Sequence, residues 1–311
     1  MIRATATFPH YRHHLDPIVA HLPSSRFDSA PFIAPDDVVL VASYRDVLRF
    51  PDNPKIYVEH GAGQTYNGAP VATPQPGYSD AASVERHQNV IGYLCPSVTV
   101  AERWIAAGVD PEIVRVVGCP AISRFVGSPR QRMAAITFHF PAQIGVPECG
   151  TAWYEWQDHL PALVHTLRSE GWTVVGHEHP RWNGELAPWW TRLGVMEVSR
   201  DVILSHAGLL VADNTSLMYE AAACGASVIA MNSARWRKDV EHGLRFWSHV
   251  PGNEMDDLSD LDWCLDELEL TGEEQRIEAV RHAYGPGNRA YDDRHAADVV
   301  LELVDRHEGR A

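Results

Sequence analysis

The chain has 311 residues, of which 45% are hydrophobic and 22% are charged, and its formal net charge is −15 at pH 7. This length favours two domains of ordinary size, and the composition is that of a globular protein without a run of roughly 18 apolar residues that would span a bilayer. The negative charge argues against a broad nucleic-acid-binding surface and against an electrostatic membrane anchor. The N-terminus lacks the apolar core of a signal peptide, so we expect a cytoplasmic protein.

The cysteines and histidines show no metal-binding pattern. The five cysteines are scattered and form no C-x-x-C pair, which argues against a zinc knuckle and against a disulfide framework. The 17 histidines show no H-E-x-x-H spacing. We therefore predict no metal and no bound cofactor.

In the first part of the chain, short apolar runs alternate with helical patterns. The predicted strands cover residues 4–8, 38–42, 56–58, 90–95 and 114–117, and the predicted helices cover 15–22, 44–50 and 101–107. Such alternation with short loops is typical of a parallel sheet with helices on both faces. Residues 63–83, rich in glycine and proline, predict a loop, and the sequence leaves open whether it covers a site.

The same pattern begins again after residues 127–132, which we interpret as a linker. Predicted strands cover 134–140, 173–176, 195–198, 209–212 and 227–231, and predicted helices cover 153–170, 201–205, 217–223, 258–270, 272–284 and 293–305. The sequence therefore predicts an α/β protein with two Rossmann-like, doubly wound parallel-sheet domains, 1–126 and 133–311, facing a central cleft. The sequence leaves open whether the last predicted helix crosses back to pack on the first domain.

A turn between two predicted strands of the second domain indicates an anion site. Asn214, Thr215 and Ser216 precede a helix, whose first N–H groups, with the two hydroxyls, suit a phosphate or diphosphate. Glu220, one turn further on, would hold ribose hydroxyls, and Asp213 would bind substrate or orient the turn. The alternative is that these residues only cap the helix.

A second polar cluster follows another predicted strand of the same domain. His177 and His179 alternate along the strand end, so we expect them to project to one side and donate hydrogen bonds to a diphosphate. Arg181 would add charge, and Arg124, after Gly-Cys-Pro at the end of the first domain, is a further candidate for substrate contact. The alternatives are packed histidines and a surface arginine.

In the first domain, a histidine directly follows a predicted strand. His60 is the candidate general base, because an imidazole accepts a proton from a hydroxyl near neutral pH. Gly61 and Gly63 allow the backbone to approach a ligand closely, and Glu59 is a candidate substrate contact. The alternative is that His60 binds substrate without transferring a proton, or caps a turn.

Together these motifs resemble those of a known family. The order is H-G after a strand, then G-x-P at residues 118–120, H-x-H-P at 177–180, and a D-N-T-S turn at 213–216 followed by an acidic residue in the helix. This resembles the CDP-glycerol glycerophosphotransferases and, more broadly, glycosyltransferases of the GT-B architecture. The resemblance extends from about residue 56 to about residue 231.

The resemblance implies a metal-independent transfer from a nucleotide donor to an acceptor hydroxyl. By this resemblance His60 is the base and Glu220 faces the donor nucleoside. The donor phosphates would be bound by His177, His179, Thr215 and Ser216. The chain departs from the family loop W-H-G-T-P-x-K: it has glutamate for the tryptophan, alanine for the threonine and no lysine. It also lacks the basic amphipathic helices that bring the teichoic-acid enzymes to a membrane. Both departures argue against a polymer acceptor at a membrane and leave open a soluble acceptor, or a sugar in place of a glycerophosphate donor.

Two further functions compete with transfer. A non-hydrolysing nucleotide-sugar epimerase would need carboxylates at the cleft, for which Glu59 and Asp213 are the candidates. A non-catalytic nucleotide-sugar-binding protein would need neither a base nor an acceptor. The expected partners of the transferase are a nucleotide-linked small-molecule donor and a hydroxyl-bearing acceptor. The sequence leaves the oligomeric state open, a homodimer included.

Overall fold

The structure is a computed structural model that describes residues 1–61, 81–141, 150–236, 249–270, 272–285 and 291–310. The chain divides into two compact units. The first unit holds the described residues of 1–124 and 281–310, and the second holds those of 125–280. In the part of the chain that is described, no helix has both the length and the apolar character that crossing a membrane requires.

Strands and α-helices are numbered here in chain order. The strands are β1 (Ile2–Ala4), β2 (Val38–Val41), β3 (Lys55–Val58), β4 (Val90–Cys95), β5 (Val114–Val116), β6 (Gln131–Phe138), β7 (Thr173–Glu178), β8 (Met196–Glu197), β9 (Ala207–Ala212), β10 (Ser227–Met231) and β11 (Asn253–Met255). The α-helices are α1 (Arg12–Val19), α2 (Tyr44–Arg49), α3 (Ala81–Arg86), α4 (Val98–Ala106), α5 (Trp153–Trp156), α6 (Leu160–Ser169), α7 (Ala187–Arg192), α8 (Arg200–His206), α9 (Leu217–Ala223), α10 (Leu261–Leu270), α11 (Gly272–Tyr284) and α12 (Asp293–His307).

The first unit is a parallel sheet in the order β1-β2-β3-β4-β5. Its central strands are continuous runs of buried, mostly β-branched residues, as expected for strands covered on both faces. One face packs on α1 and α12 in a core that includes Leu40 and Leu303. The other face packs on α4 around Trp104.

The C-terminal helix α12 is part of this first core. Its apolar side, which includes Val300 and Leu303, is buried against the sheet. Gly92 of β4 permits the approach, because a Cβ atom at that position would lie 2.5 Å from Leu303 Cδ1. The sequence left the position of this helix open, and the close contact resolves it.

Gly92→Ala is therefore expected to destabilise the protein by about 1–3 kcal/mol through overpacking against α12. Leu303→Ala alone is expected to cost about 2–5 kcal/mol, because it leaves a cavity. Since the shorter side chain also removes the clash, the double variant should lose less stability than the sum of the two single variants. Urea denaturation of the four proteins measures this coupling, and strict additivity would contradict the packing of Leu303 on Gly92.

The second unit is a parallel sheet in the order β11-β10-β9-β6-β7-β8. One face packs on α5, α6, α7 and α10, and Phe138, Trp153 and Trp190 contribute to that core. Helices α8 and α9 lie against β6, β9 and β10. The predicted α/β class with two Rossmann-like parallel-sheet domains is thus confirmed.

The sequence-based element boundaries differ from the structure in several places. The strand expected at 4–8 is instead Ile2–Ala4, and Thr7 is bound through its backbone N–H to Asp46 (3.0 Å). The single helix expected over 153–170 is two helices, because Pro161 lies in the first turn of α6, where its missing N–H is tolerated. Strand β11 was not predicted from the sequence, and the end of the expected linker belongs to β6.

Candidate functional site

The strand order of the second sheet reverses between β6 and β9. From this pair, β10 and β11 extend to one side and β7 and β8 to the other. In an open parallel sheet, a crevice forms at such a switch point, outside the carboxyl ends of the strands. Because β6 ends at Phe138 and β9 at Ala212, residues 139–141 and 213–216 lie at this point.

Asp213 ties three segments together at the switch point. Its carboxylate accepts hydrogen bonds from His139 N–H (2.5 Å), the Thr151 hydroxyl (2.9 Å) and Ala152 N–H (2.8 Å), and the residue is fully buried. Charge-assisted bonds of this kind fix the geometry of the loops they join. These contacts favour the alternative that Asp213 orients the turn, and its direct contact with substrate stays a prediction.

Several backbone N–H groups at the start of α9 donate hydrogen bonds to residues of the preceding turn. Leu217 N–H donates to Thr215 Oγ1 (3.3 Å), and the next three amides donate to the carbonyl oxygens of Thr215 and Ser216. The first N–H groups of the helix, which the sequence indicated for a phosphate, are therefore already paired within the turn, and their contact with a phosphate stays a prediction. The Thr215 hydroxyl therefore caps the helix, whereas the Ser216 side chain makes no capping hydrogen bond. Asn214 is buried.

His177 has a defined protonation pattern. Its Nδ1 lies 3.0 Å from the Val198 carbonyl oxygen, and because a carbonyl can only accept, Nδ1 carries the proton. Burial lowers the pKa of His177, with the charge of Arg200 acting in the same direction. In the neutral ring, Nε2 is then an acceptor. A diphosphate offers only acceptors, so this geometry favours a contact with a substrate hydroxyl over the predicted phosphate contact.

His179 has the opposite pattern. Its Nδ1 accepts a hydrogen bond from Arg181 N–H (3.1 Å), so the ring proton is on Nε2, which is a donor. The His179 ring lies 4.8 Å from the Phe140 ring, and the Arg181 guanidinium lies 4.3 Å from the Phe140 centroid. His179 and Arg181 therefore lie together at the end of β7, in an arrangement that suits an anion.

Two residues of this cluster were missed by the sequence analysis. His139 and Phe140 follow β6, and the His139 ring lies 5.8 Å from the ring of His179. The alternation Phe138-His139-Phe140 at a strand end was the available signal. It becomes meaningful only once β6 is known to pair with β7, which carries His177 opposite Thr137.

A buried ion pair joins α8 to α9. The Arg200 Nε and Nη2 atoms each lie 2.8 Å from Glu220 Oε2. The two side chains are only 15% and 5% exposed, respectively. Glu220 was a candidate from the sequence and Arg200 was not, because the pair connects two different helices. No periodicity within one helix could indicate it.

In the first unit, His60 follows β3 and packs against the segment after β1. The centroids of its ring and of the Tyr11 ring are 4.7 Å apart in an edge-to-face contact, and the His14 ring lies 5.7 Å away. Gly61 has a φ of +80°, in the left-handed region that favours glycine, so a residue with a side chain would be strained there. Gly63 lies outside the described residues, as does most of the predicted loop 63–83.

Glu59 is directed into the core. Its carboxylate accepts a hydrogen bond from the Trp104 indole N–H, and only 8% of the residue is exposed. Burial raises the pKa of Glu59 to about 8. A carboxyl group that is buried and bound to Trp104 in this way is largely shielded from solvent, so the contacts favour a structural role over the predicted substrate contact. Arg124 is exposed in the short helix Pro120–Phe125.

Comparison with known proteins adds evidence on the fold. No protein-family model and no curated protein sequence matches the chain. The solved structures that match include the wall teichoic acid polymerase TagF, at 10% identity and a TM-score of 0.65, over 99% of this chain and 90% of that chain. A TagF variant soaked with CDPG matches equally well, at 9% identity and a TM-score of 0.65, over 99% of this chain and 89% of that chain.

Two further solved structures match as well. A putative UDP-N-acetylglucosamine 2-epimerase from Listeria monocytogenes has 13% identity and a TM-score of 0.55, over 100% of this chain and 96% of that chain. MnaA from S. aureus in complex with UDP has 13% identity and a TM-score of 0.58, with the same coverage. The predicted resemblance to GT-B proteins of the glycerophosphotransferase type is thereby confirmed at the level of the fold.

Proposed function

We propose that the protein is a metal-independent transferase that moves a glycosyl or glycerophosphoryl group from a nucleotide-activated donor to an acceptor hydroxyl. The second unit binds the donor, and His60 of the first unit is the general base. The observation that carries the proposal is the set of polar groups at the β6–β9 switch point and the neighbouring carboxyl end of β7. Such a position is where open parallel sheets bind nucleotides.

Each part of the donor has a chemically suited group at this edge. The Nε2–H of His179, the Arg181 guanidinium and the Ser216 hydroxyl are donors for the diphosphate. Glu220 is an acceptor for ribose hydroxyls, and the neutral Nε2 of His177 is an acceptor for a hydroxyl of the transferred group. Donors that are already oriented stabilise the charge of a leaving nucleotide without a metal ion.

The relatives in fold support a nucleotide ligand. TagF was soaked with CDPG and MnaA was solved with UDP, so two proteins of this fold are associated with nucleotide compounds. The similarity to epimerases makes a nucleotide-sugar epimerase the second candidate. That reading requires carboxylates at the site, and its two candidates, Glu59 and Asp213, are both occupied by protein donors. This observation favours the transferase.

A ligand panel tests the proposal. CDP-, UDP-, GDP- and dTDP-linked compounds are added to the full chain, and the melting temperature is measured. A compound that binds at 100 times its Kd should stabilise the protein by about 2.7 kcal/mol, which raises the melting temperature. The compound that binds is then incubated with and without acceptors. Transfer supports the proposal, conversion of the donor sugar without acceptor identifies an epimerase, and no shift with any compound contradicts both.

A further inference from the structure

His87 is a buried titratable residue of the first unit that the proposed function does not use. It directly follows α3, and only 5% of it is exposed. The rings of Tyr57, Tyr93 and Trp104 contact it, with centroids 5.6, 5.9 and 5.4 Å from the centroid of the imidazole. This aromatic cage is built from β3, β4 and α4. The His87 side chain therefore connects α3 to the sheet and to a helix that covers it.

The hydrogen bonding of His87 suits a neutral ring. Its Nδ1 lies 3.1 Å from the Tyr93 hydroxyl, which can donate or accept. Its Nε2 is buried and has no hydrogen-bond partner among the residues that the structure describes. In a protonated ring both nitrogens carry a proton, so a charged N–H would be buried without an acceptor. Such a group costs far more than a neutral one, and the attraction of aromatic rings for a cation offsets only part of the loss of water.

The surrounding charges also oppose protonation of His87. The titratable groups on or next to the elements of the aromatic cage are Lys55, Tyr57, Glu59, Tyr93, Cys95 and Arg103. In the acid range the phenols are neutral, and so are Glu59 and Cys95, because burial raises the pKa of both. The groups that stay charged are thus positive. Burial lowers the pKa of His87 to about 4, and the charge of Lys55 acts in the same direction.

Among the side chains of α3 that are described, one other is packed on the sheet. Val84 is partly buried against the core that contains the aromatic cage, whereas Glu85 and Arg86 are exposed. The His87 N–H donates to the Val84 carbonyl oxygen (3.1 Å), which ties the imidazole to the end of the helix. A segment held by few buried side chains opens locally at a low free-energy cost. In chain order, α3 ends the connection from β3 to β4, which begins at the candidate general base.

We propose that His87 is a pH-sensitive latch, which holds α3 on the first sheet while its imidazole is neutral and releases the helix when the ring is protonated. The sign follows from linkage. A histidine whose pKa is lower in the docked state than its ordinary value of 6.5 contributes docking stability that is complete above pH 6.5 and is lost as the pH falls toward 4. This latch is independent of nucleotide binding.

Hydrogen–deuterium exchange followed by mass spectrometry tests the latch in the full chain. Peptides that cover residues 81–88 and 90–95 are compared between pH 8 and pH 5, after correction for the intrinsic exchange rate at each pH. In the wild type, protection of 81–88 should fall about 30-fold, the factor expected for a pKa that changes from 6.5 to about 4 on docking. Protection of 90–95, which is β4, should stay within about twofold.

Two substitutions remove the titration in different ways. His87→Gln stays neutral and keeps a hydrogen-bonding group for the Tyr93 hydroxyl, so protection of 81–88 should change by less than about twofold between the two pH values. His87→Phe fills the aromatic cage without a titratable group, and it decides if the glutamine variant does not fold at pH 8, as judged by circular dichroism. His165→Gln is the matched control, because His165 is exposed on α6, and this variant should respond to pH as the wild type does.

Three results would overturn the latch. Unchanged protection of 81–88 in the wild type would mean that protonation does not release α3. An equal loss of protection in 81–88 and 90–95 would indicate acid unfolding of the whole sheet in place of a local release. A wild-type pH response that persists in His87→Gln, or in His87→Phe where that variant decides, would assign the effect to another group.

Discussion

Replacing His60 by alanine is expected to lower the rate of group transfer by about 10²- to 10⁴-fold, the usual contribution of a general base. Donor affinity should stay within about twofold, because the proposed donor contacts are all in the second unit. His60 lies at the end of β3, and its ring packs against the rings of Tyr11 and His14. Donor consumption and product are measured by mass spectrometry at saturating donor.

Two controls separate catalysis from packing. His165→Ala removes an exposed histidine of α6 and should leave transfer unchanged. His60→Gln keeps most of the side-chain volume against Tyr11 but cannot act as a base, so it should be as inactive as the alanine variant. Full activity in His60→Gln would refute the role of general base, and lost donor binding in both variants would assign His60 to substrate binding.

Glu59→Gln is expected to make the protein more stable at pH 8, with little change at pH 5. The pKa of Glu59 is about 8 in the folded protein, against an ordinary value of 4.5. A carboxyl group whose pKa is raised by folding contributes stability that is fully present below pH 4.5 and is lost as the pH rises toward 8. Glutamine is neutral throughout, and its carbonyl oxygen can still accept from Trp104.

The size of this effect follows from linkage, since each unit of pKa difference corresponds to about 1.4 kcal/mol. The advantage of the variant at pH 8 should therefore amount to a few kcal/mol. Two other groups interact with Glu59. Burial also raises the pKa of Cys95, and the positive charge of Arg103 lowers the pKa of Glu59. Urea denaturation between pH 5 and pH 8 measures the free energy of unfolding for both proteins.

Glu102→Gln is the matched control, because Glu102 is exposed on α4, the helix that carries Trp104. That change should leave the pH dependence as in the wild type. Parallel stability curves for wild type and Glu59→Gln would mean that Glu59 is ionised in the folded protein, against the burial described above. Direct NMR titration of the labelled Glu59 carboxyl carbon gives an independent midpoint, expected near pH 8.

Some of the site depended on local sequence and was accessible without coordinates. The strand that ends before Asp213, the turn and the helix from Leu217 follow from an apolar run, polar turn residues and a following helical pattern, all of which are local signals. The same holds for His60 after β3 and for His177 near the end of β7. Burial and hydrogen bonding of side chains were not accessible, and they changed the interpretation of Glu59, Asp213 and His177.

The sequence by itself determined the α/β class, the two parallel-sheet domains and the loops that carry the candidate residues, because hydrophobic periodicity and turn residues act over a few neighbours. Only the tertiary structure decided which side chains meet. Trp104 reaches Glu59 from 45 residues away, and His139 reaches Asp213 from 74 residues away. Such pairs depend on strand order and on the direction of each side chain, and neither is encoded in the spacing of residues along the chain.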